Sequence, residues 1–377
     1  MKKQILKALA VVCMLSMLCM TAFAAPYSSE EEKVAAWLGN PENTQFDYED
    51  TSFVDSLIDW TAFTLTRAGK AAPAEYADYI NEAVANAFDK MYPSDLARTV
   101  LAVTANGMDA KNIGGHDLLA ALAAVDYSSQ IYLSSLNAPL LAMHFKADFP
   151  FDTSLKNGIV EALLAVQQAD GGWAYCSVDQ GYGVYSDADS TSMTVQALAP
   201  YYTENEAVAR AVDKALAYLQ TQIGATGALE AWGAPSGEGT AQFILALCEL
   251  GIDPTDSAYT NHGKTLLDGV KSFVTENGGA LNYTGQEDPL TTYQVLLALN
   301  AANRCAENRE SVFTYVEKTE APTNPVPTVP SVPENTTTDS ASQTVDIPKT
   351  GSASAAAGAF AAVLCAGAVL TLRKKDA

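Results

Sequence analysis

The chain has 377 residues, of which 48% are apolar and 9% aromatic, enough for one large helix-rich body or two smaller ones. Its formal charge is -22. Six of the 22 basic residues (Lys2, Lys3, Lys7, Arg373, Lys374, Lys375) and one acid (Asp376) lie in the two end segments, leaving 16 basic against 43 acidic residues between them. A surface of that sign offers no basic stripe with which to displace counterions, which excludes nucleic acid and anionic lipid as partners and favours neutral or cationic ones.

Met1 to Ala24 combines a basic start, an apolar run from Ala8 to Met20 and the triplet Ala22-Phe23-Ala24, the pattern of a secretory signal peptide cut before Ala25. Of six cysteines, Cys13 and Cys19 fall in this leader and Cys365 in the tail. Cys176, Cys248 and Cys305 remain, so at most one bridge forms within the body and packing must supply its stability.

The body repeats. Apolar helices are expected to end at Phe63-Thr64-Leu65, Leu101-Ala102-Val103, Leu141-Ala142-Met143, Gln196-Ala197-Leu198, Leu245-Ala246-Leu247 and Leu297-Ala298-Leu299, in steps of 38 to 55 residues. Between them run charged, amphipathic segments: Glu75 to Met91, Gly115 to Val125, Thr153 to Gln168, Glu204 to Gln222 and Gly263 to Glu276. A helix pair with variable loops is therefore the repeating unit, the apolar members forming an inner ring and the half-solvated members an outer one. Only five outer segments are found, and Glu30 to Leu38 is expected to take the sixth place. In the last three copies Thr191, Thr240 and Thr292 each stand seven residues before the closing Leu, behind starts near Asp187, Ser236 and Asp288-Pro289.

One turn is sharper than the others. Gln167-Gln168-Ala169-Asp170-Gly171-Gly172-Trp173 stops one helix at a Gly pair, and Asp187-Ala188-Asp189-Ser190-Thr191 opens the next with acidic and hydroxyl caps. Gly224-Ala225-Thr226-Gly227 and Glu276-Asn277-Gly278-Gly279 echo it without the Trp. Gln167, Gly171 and Trp173, at this spacing, resemble the repeat of the terpenoid cyclase and prenyltransferase α/α toroids. The resemblance implies an all-α toroid of about six helix pairs over residues 25–318, with the Gln167 side chain stacked on Trp173.

Residues 319–346 are rich in Pro, Thr and Ser, with Pro322, Pro325, Pro327, Pro330 and Pro333 too close for helix or sheet; a disordered, semi-extended spacer is expected. In residues 347–377, Ile347-Pro348-Lys349-Thr350-Gly351 precedes an uncharged run, read as a transmembrane helix over 353–372, and then Arg373-Lys374-Lys375. That order is similar to the sortase sorting signal of Gram-positive surface proteins, with Ile for the usual Leu. It implies sortase and cell-wall peptidoglycan as partners, with Thr350 joined covalently to the wall.

Asp187-Ala188-Asp189-Ser190-Thr191 is similar to the Asp-x-Asp-Asp-Thr of squalene-hopene-type cyclases, whose counterpart of Asp189 protonates an alkene. Ser190 replaces the next acid, which weakens the acidifying arrangement such a step needs. Read without the resemblance, Asp187 and Asp189 cap and charge a helix start. The zinc site of the related protein prenyltransferases cannot be assembled from His116, His144 and His262, and no metal is expected. Cys176-Ser177-Val178-Asp179-Gln180 is one residue too long for a thioester motif. His144 reads as a core histidine, and a carboxylate pair of the glycosidase type stays open among so many acids.

Trp173, Tyr175, Tyr182, Tyr185, Trp232, Tyr283 and Tyr293, with Asp179, Asp187 and Asp189, fall near turns that feed inner helices, hence at one end of the ring. Such a mouth suits a neutral or cationic organic ligand or a peptide. The expectation is a secreted, wall-anchored toroid acting as a non-catalytic ligand-binding or interaction module. Toroids resembling intrinsic factor and transcobalamin bind corrinoids with a second β domain that this chain lacks, so a cobalamin-like ligand is one candidate and no cofactor is expected. A terpene-cyclase-like enzyme using Asp189, a glycan-active hydrolase or lyase, and a structural or adhesive protein are the alternatives.

Overall fold

The computed structural model describes residues 26–181, 183–231 and 233–316. The expected signal peptide, spacer, sorting signal and membrane span all lie outside them. Among the described residues no helix is long and apolar enough to cross a membrane.

Six inner helices are α3 (Ser56–Arg67), α5 (Pro93–Ala105), α7 (Ser134–Phe145), α9 (Ala188–Leu198), α11 (Gly237–Glu249) and α13 (Pro289–Ala306). The others are α1 (Ser28–Leu38), the single turn α2 (Pro41–Thr44), α4 (Tyr76–Ala87), α6 (Leu118–Ala123), α8 (Thr153–Ala165), α10 (Glu206–Thr221) and α12 (Leu266–Lys271). Each inner helix packs on the next, and α13 returns to pack on α3, so the ring closes. Because one outer helix separates successive inner ones, the inner helices run parallel with their N-termini at one end. α6 and α12 are shorter than the sequence pattern suggests: Asp117 and the Thr265–Asp268 capping box start them late. Two short antiparallel pairs decorate the loops, Leu229–Ala231 with Ala234–Ser236 (Leu229 opposite Ser236) and Thr260–Asn261 with Lys264–Thr265.

The Thr repeat now has a physical cause. Thr191, Thr240 and Thr292 accept hydrogen bonds from the backbone N–H of Trp173, Leu229 and Ala280, each at 2.9 Å. Thr240 and Thr292 also donate to the carbonyls of Ser236 and Asp288, four residues back. One buried hydroxyl thereby satisfies the turn entering the helix and the helix's own first turn.

Asp59 and Arg98 tie α3 to α5 inside the ring. Arg98 Nε lies 3.2 Å from the Asp59 carboxylate, which also accepts from Thr99 (2.8 Å) and Tyr76 (2.9 Å). Further round, Asn137 donates to Thr194, Gln196 to Gln242 (2.9 Å), and Gln242 to Gln294 (2.8 Å), while Trp60 of α3 stacks on Tyr293 of α13 at 6.0 Å. Polar and aromatic links thus bind neighbouring inner helices within a largely apolar core.

α1 packs on α13 as the sixth outer helix. Glu31 accepts from the side chains of Asn300 and Asn303, and Tyr27 N–H donates to Asn303 Oδ1 at 2.9 Å. The opposite, C-terminal end of the inner ring is closed by residues 309–316. Phe313 stacks on Phe63 at 5.8 Å, Tyr315 N–H donates to Phe145 O at 2.7 Å, Arg67 holds the carbonyls of Ser311 and Thr314, and Ser311 Oγ bonds to Glu249. That strap touches α3, α7 and α11.

Candidate functional site at the N-terminal mouth

Asp187, Asp189, Glu238 and Asp288 stand at the starts of three consecutive inner helices. Asp187 caps α9 through Ser190 N–H (2.7 Å), and Asp288 caps α13 through Leu290 N–H (2.8 Å). Glu238 accepts from Thr291 Oγ1 at 2.6 Å, which bridges α11 to α13. Helix dipoles aimed at the mouth favour these acids. Asp189 is different, because its Oδ1 is buried with no hydrogen-bond partner and lies against Gly239, where a Cβ would stand 2.8 Å from it. Burial, then the charges of Asp187 and Glu238, pushes its carboxyl up to about 7. Asp187 is raised too, by burial against its helix-cap hydrogen bonds.

A carboxyl near 7 carries its proton on about half of the molecules at neutral pH and gives it up readily, the condition for a general acid. Among the described residues no group of acids, His and Cys is disposed to hold a metal ion.

Aromatic side chains rim this end. Tyr185 and Tyr283 are 73% and 77% exposed, and Tyr175 is exposed beside Tyr132, their rings 5.4 Å apart. Phe53, Tyr92 and Tyr132 are exposed as well, and stand just before α3, α5 and α7. Sequence reasoning missed these three. The available signal was position, since each immediately precedes an inner helix, as Tyr185 and Tyr283 do.

Three expected ligand contacts, Trp173, Tyr293 and Asp179, take structural roles. Trp173 is 0% exposed, and its Nε1 donates to Leu163 O at 2.8 Å, binding its turn back onto α8. It is a core residue because the Gly171–Gly172 turn folds it inward beneath Thr191. Gln167 acts through hydrogen bonds: its Nε2 donates to Gly171 O and Ala211 O, both at 2.8 Å. Tyr293 is half-buried against Trp60, and Asp179 organises its own loop through Gly181 and Gly183 N–H groups. Tyr182 and Trp232 lie outside the described residues. His144 bonds to Tyr201 Oη at 2.9 Å, and burial lowers it to about 4, as suits a neutral core histidine. His116 stacks on Phe88.

The comparisons fit this geometry. Among solved structures the chain is similar to the type II terpene cyclase MstE from Scytonema in its apo form, with a TM-score of 0.50 and 12% identity over 74% of this chain and 98% of that one. It is equally similar to the unsaturated glucuronyl hydrolase from Bacillus sp. GL1, at TM-score 0.50 and 12% identity over 72% of this chain and 96% of that one. The fold is an α/α toroid. At such identity the likeness speaks for fold alone. No protein-family model matches the chain, and no curated protein matches it.

Proposed function

We propose that the toroid is a ligand-binding module that takes a neutral or cationic organic ligand or peptide on its N-terminal mouth. The observation that carries the reading is the co-location of exposed Phe53, Tyr92, Tyr132, Tyr175, Tyr185 and Tyr283 around Asp187, Asp189, Glu238 and Asp288. Aromatic faces supply stacking area at low entropic cost, and the acids favour cationic groups over anionic ones. The side-chain links between inner helices and the strap across the far end argue for recognition at the rim. Mass spectrometry of small molecules that co-purify with the chain tests this. A compound kept by the wild type and lost from the Tyr185→Ala/Tyr283→Ala double variant is expected; equal retention by both overturns the reading.

Asp189 supports a second reading, an acid-catalysed reaction on an isoprenoid or a glycan, because an unpartnered, proton-bearing carboxyl is costly to keep in a passive site. The two similar solved structures are of enzymes, a terpene cyclase and a glucuronyl hydrolase. Turnover of either substrate class by the wild type, and its loss in Asp189→Asn, would replace the first reading with this one.

The binding module is carried, in this proposal, on a Gram-positive cell wall. The leader at 1–24, the spacer at 319–346 and the Ile347-Pro348-Lys349-Thr350-Gly351 signal support that placement, with sortase and peptidoglycan as partners. Release of the protein from cells by a muralytic enzyme, and not by detergent, is the expected result. Recovery only from the cytosol overturns it.

A further inference from the structure

We infer that Cys248 and Cys305 close into a disulfide that staples the last two inner helices beneath the strap. Three body cysteines allow three pairings by sequence. The fold leaves one. Cys248 sits in the last turn of α11 and Cys305 in the last turn of α13, two helices in close lateral packing, and both side chains line one crevice, where Cys305 Sγ donates to Ile252 O at 3.7 Å. Cys176 lies at the other end of the ring, in the loop entering α9 and paired across a β-bridge with Tyr132. All three are free thiols here.

The surroundings tie the pair to the strap. Cys248 and Cys305 line a crevice of about 30 Å³ together with Glu249, Arg304, Arg309 and Ser311. Glu249, next to Cys248, holds Ser311 Oγ, and Arg304, next to Cys305, donates to the carbonyls of Glu310 and Arg67. A bond between the sulfurs fixes the two helix ends from which the strap hangs.

The chemistry needs an external disulfide, such as a low-molecular-weight disulfide or a disulfide oxidoreductase. Cys305 is the attacking group, since the neighbouring Cys248 thiol lowers it to about 7 and leaves a large thiolate fraction at neutral pH. The Cys305 thiolate displaces one thiolate from the oxidant and forms a mixed disulfide. Cys248, losing its proton, then attacks Cys305 Sγ and expels the second thiolate. Two protein thiols give up two electrons and two protons, and one external disulfide becomes two thiols.

The test is peptide mapping of the full-length chain after incubation with oxidised glutathione, alkylated under denaturing conditions without reductant. A peptide linking Cys248 to Cys305 is expected, with Cys176 alkylated and Tm on the order of 5 °C above that of the reduced protein. Cys248→Ser is expected to trap glutathione on Cys305, which the wild type does not retain. Alkylation of both Cys248 and Cys305 in the oxidised wild type, a linked peptide containing Cys176, or a lasting wild-type glutathione adduct overturns the pairing. Equal melting with and without reductant overturns the staple. The wild-type map decides the pairing even where the variant fails to fold.

Discussion

Gly278 packs against the main-chain carbonyl of Lys33, so a turn near the end of the toroid is seated on the helix near its beginning. A Cβ on Gly278 would lie 2.5 Å from that oxygen, at φ 103°, just as one on Gly171 would lie 2.6 Å from Lys214 O at φ 94°. The same Gly-on-helix contact thus recurs two repeats on with α1 in the place of α10, and it closes the outer ring. Gly278→Ala combines a disfavoured backbone with a backbone clash and should cost about 2–3 kcal/mol in urea unfolding. Removing residues 26–45 should lower Tm throughout the domain; an unchanged melt of the shortened chain would show that α1 adds nothing to closure.

Asp59→Ala leaves Arg98 buried with Asp95 as its remaining carboxylate partner and strips Thr99 and Tyr76 of an acceptor. Loss of one member of a buried pair costs about 3–5 kcal/mol. Chemical denaturation measures it, and a loss below about 1 kcal/mol would mean that the pair is effectively solvated.

The proton on Asp189 makes stability depend on pH. Its carboxyl sits at about 7 when folded against the ordinary aspartate value of 3.8, so the folded state binds more protons between those values. Stability therefore falls as pH rises from about 4 to 7, and the loss is complete above that. Asp189→Asn should match the wild type near pH 4 and exceed it by on the order of 4 kcal/mol near pH 8. Glu249, also raised to about 7 by burial, contributes the same trend to both proteins and cancels in the difference. A variant-minus-wild-type difference that is flat with pH would place the Asp189 carboxyl back in the ordinary range.

Trp173→Phe and Tyr185→Ala should separate packing from recognition. The first removes the Nε1 hydrogen bond and leaves a void in the core, at about 1–3 kcal/mol, without affecting ligand retention. The second removes an exposed ring and should weaken ligand retention with a stability change within about 0.5 kcal/mol. Calorimetry beside a ligand-retention assay reads both, and the opposite pattern would move the site from the rim into the core.

Phe313→Ala empties the stack on Phe63 under the ring and should cost about 3 kcal/mol. Thermal melting checks it, and a smaller change than for Tyr185→Ala would show that the strap only rests on the ring's end.

By itself the sequence determined the toroid, because helix-pair repetition is written locally: apolar runs, Gly turns and, in the last three copies, a Thr seven residues before the closing Leu all act within a few turns of chain. The aromatic, acidic loops at one end were legible for the same reason, since a parallel inner ring puts every helix-entry segment there. Only the tertiary structure decided that Trp173 points inward, that Phe53, Tyr92 and Tyr132 share the rim, that the strap at 309–316 seals the far end, and that Cys248 meets Cys305. Each of these depends on contacts between segments far apart in the chain, where burial and charge are properties of the assembled ring. Asp189 shows the division most clearly: its position at a helix start is local, while the hold on its proton comes from burial, then from the charges of Asp187 and of Glu238 on another helix.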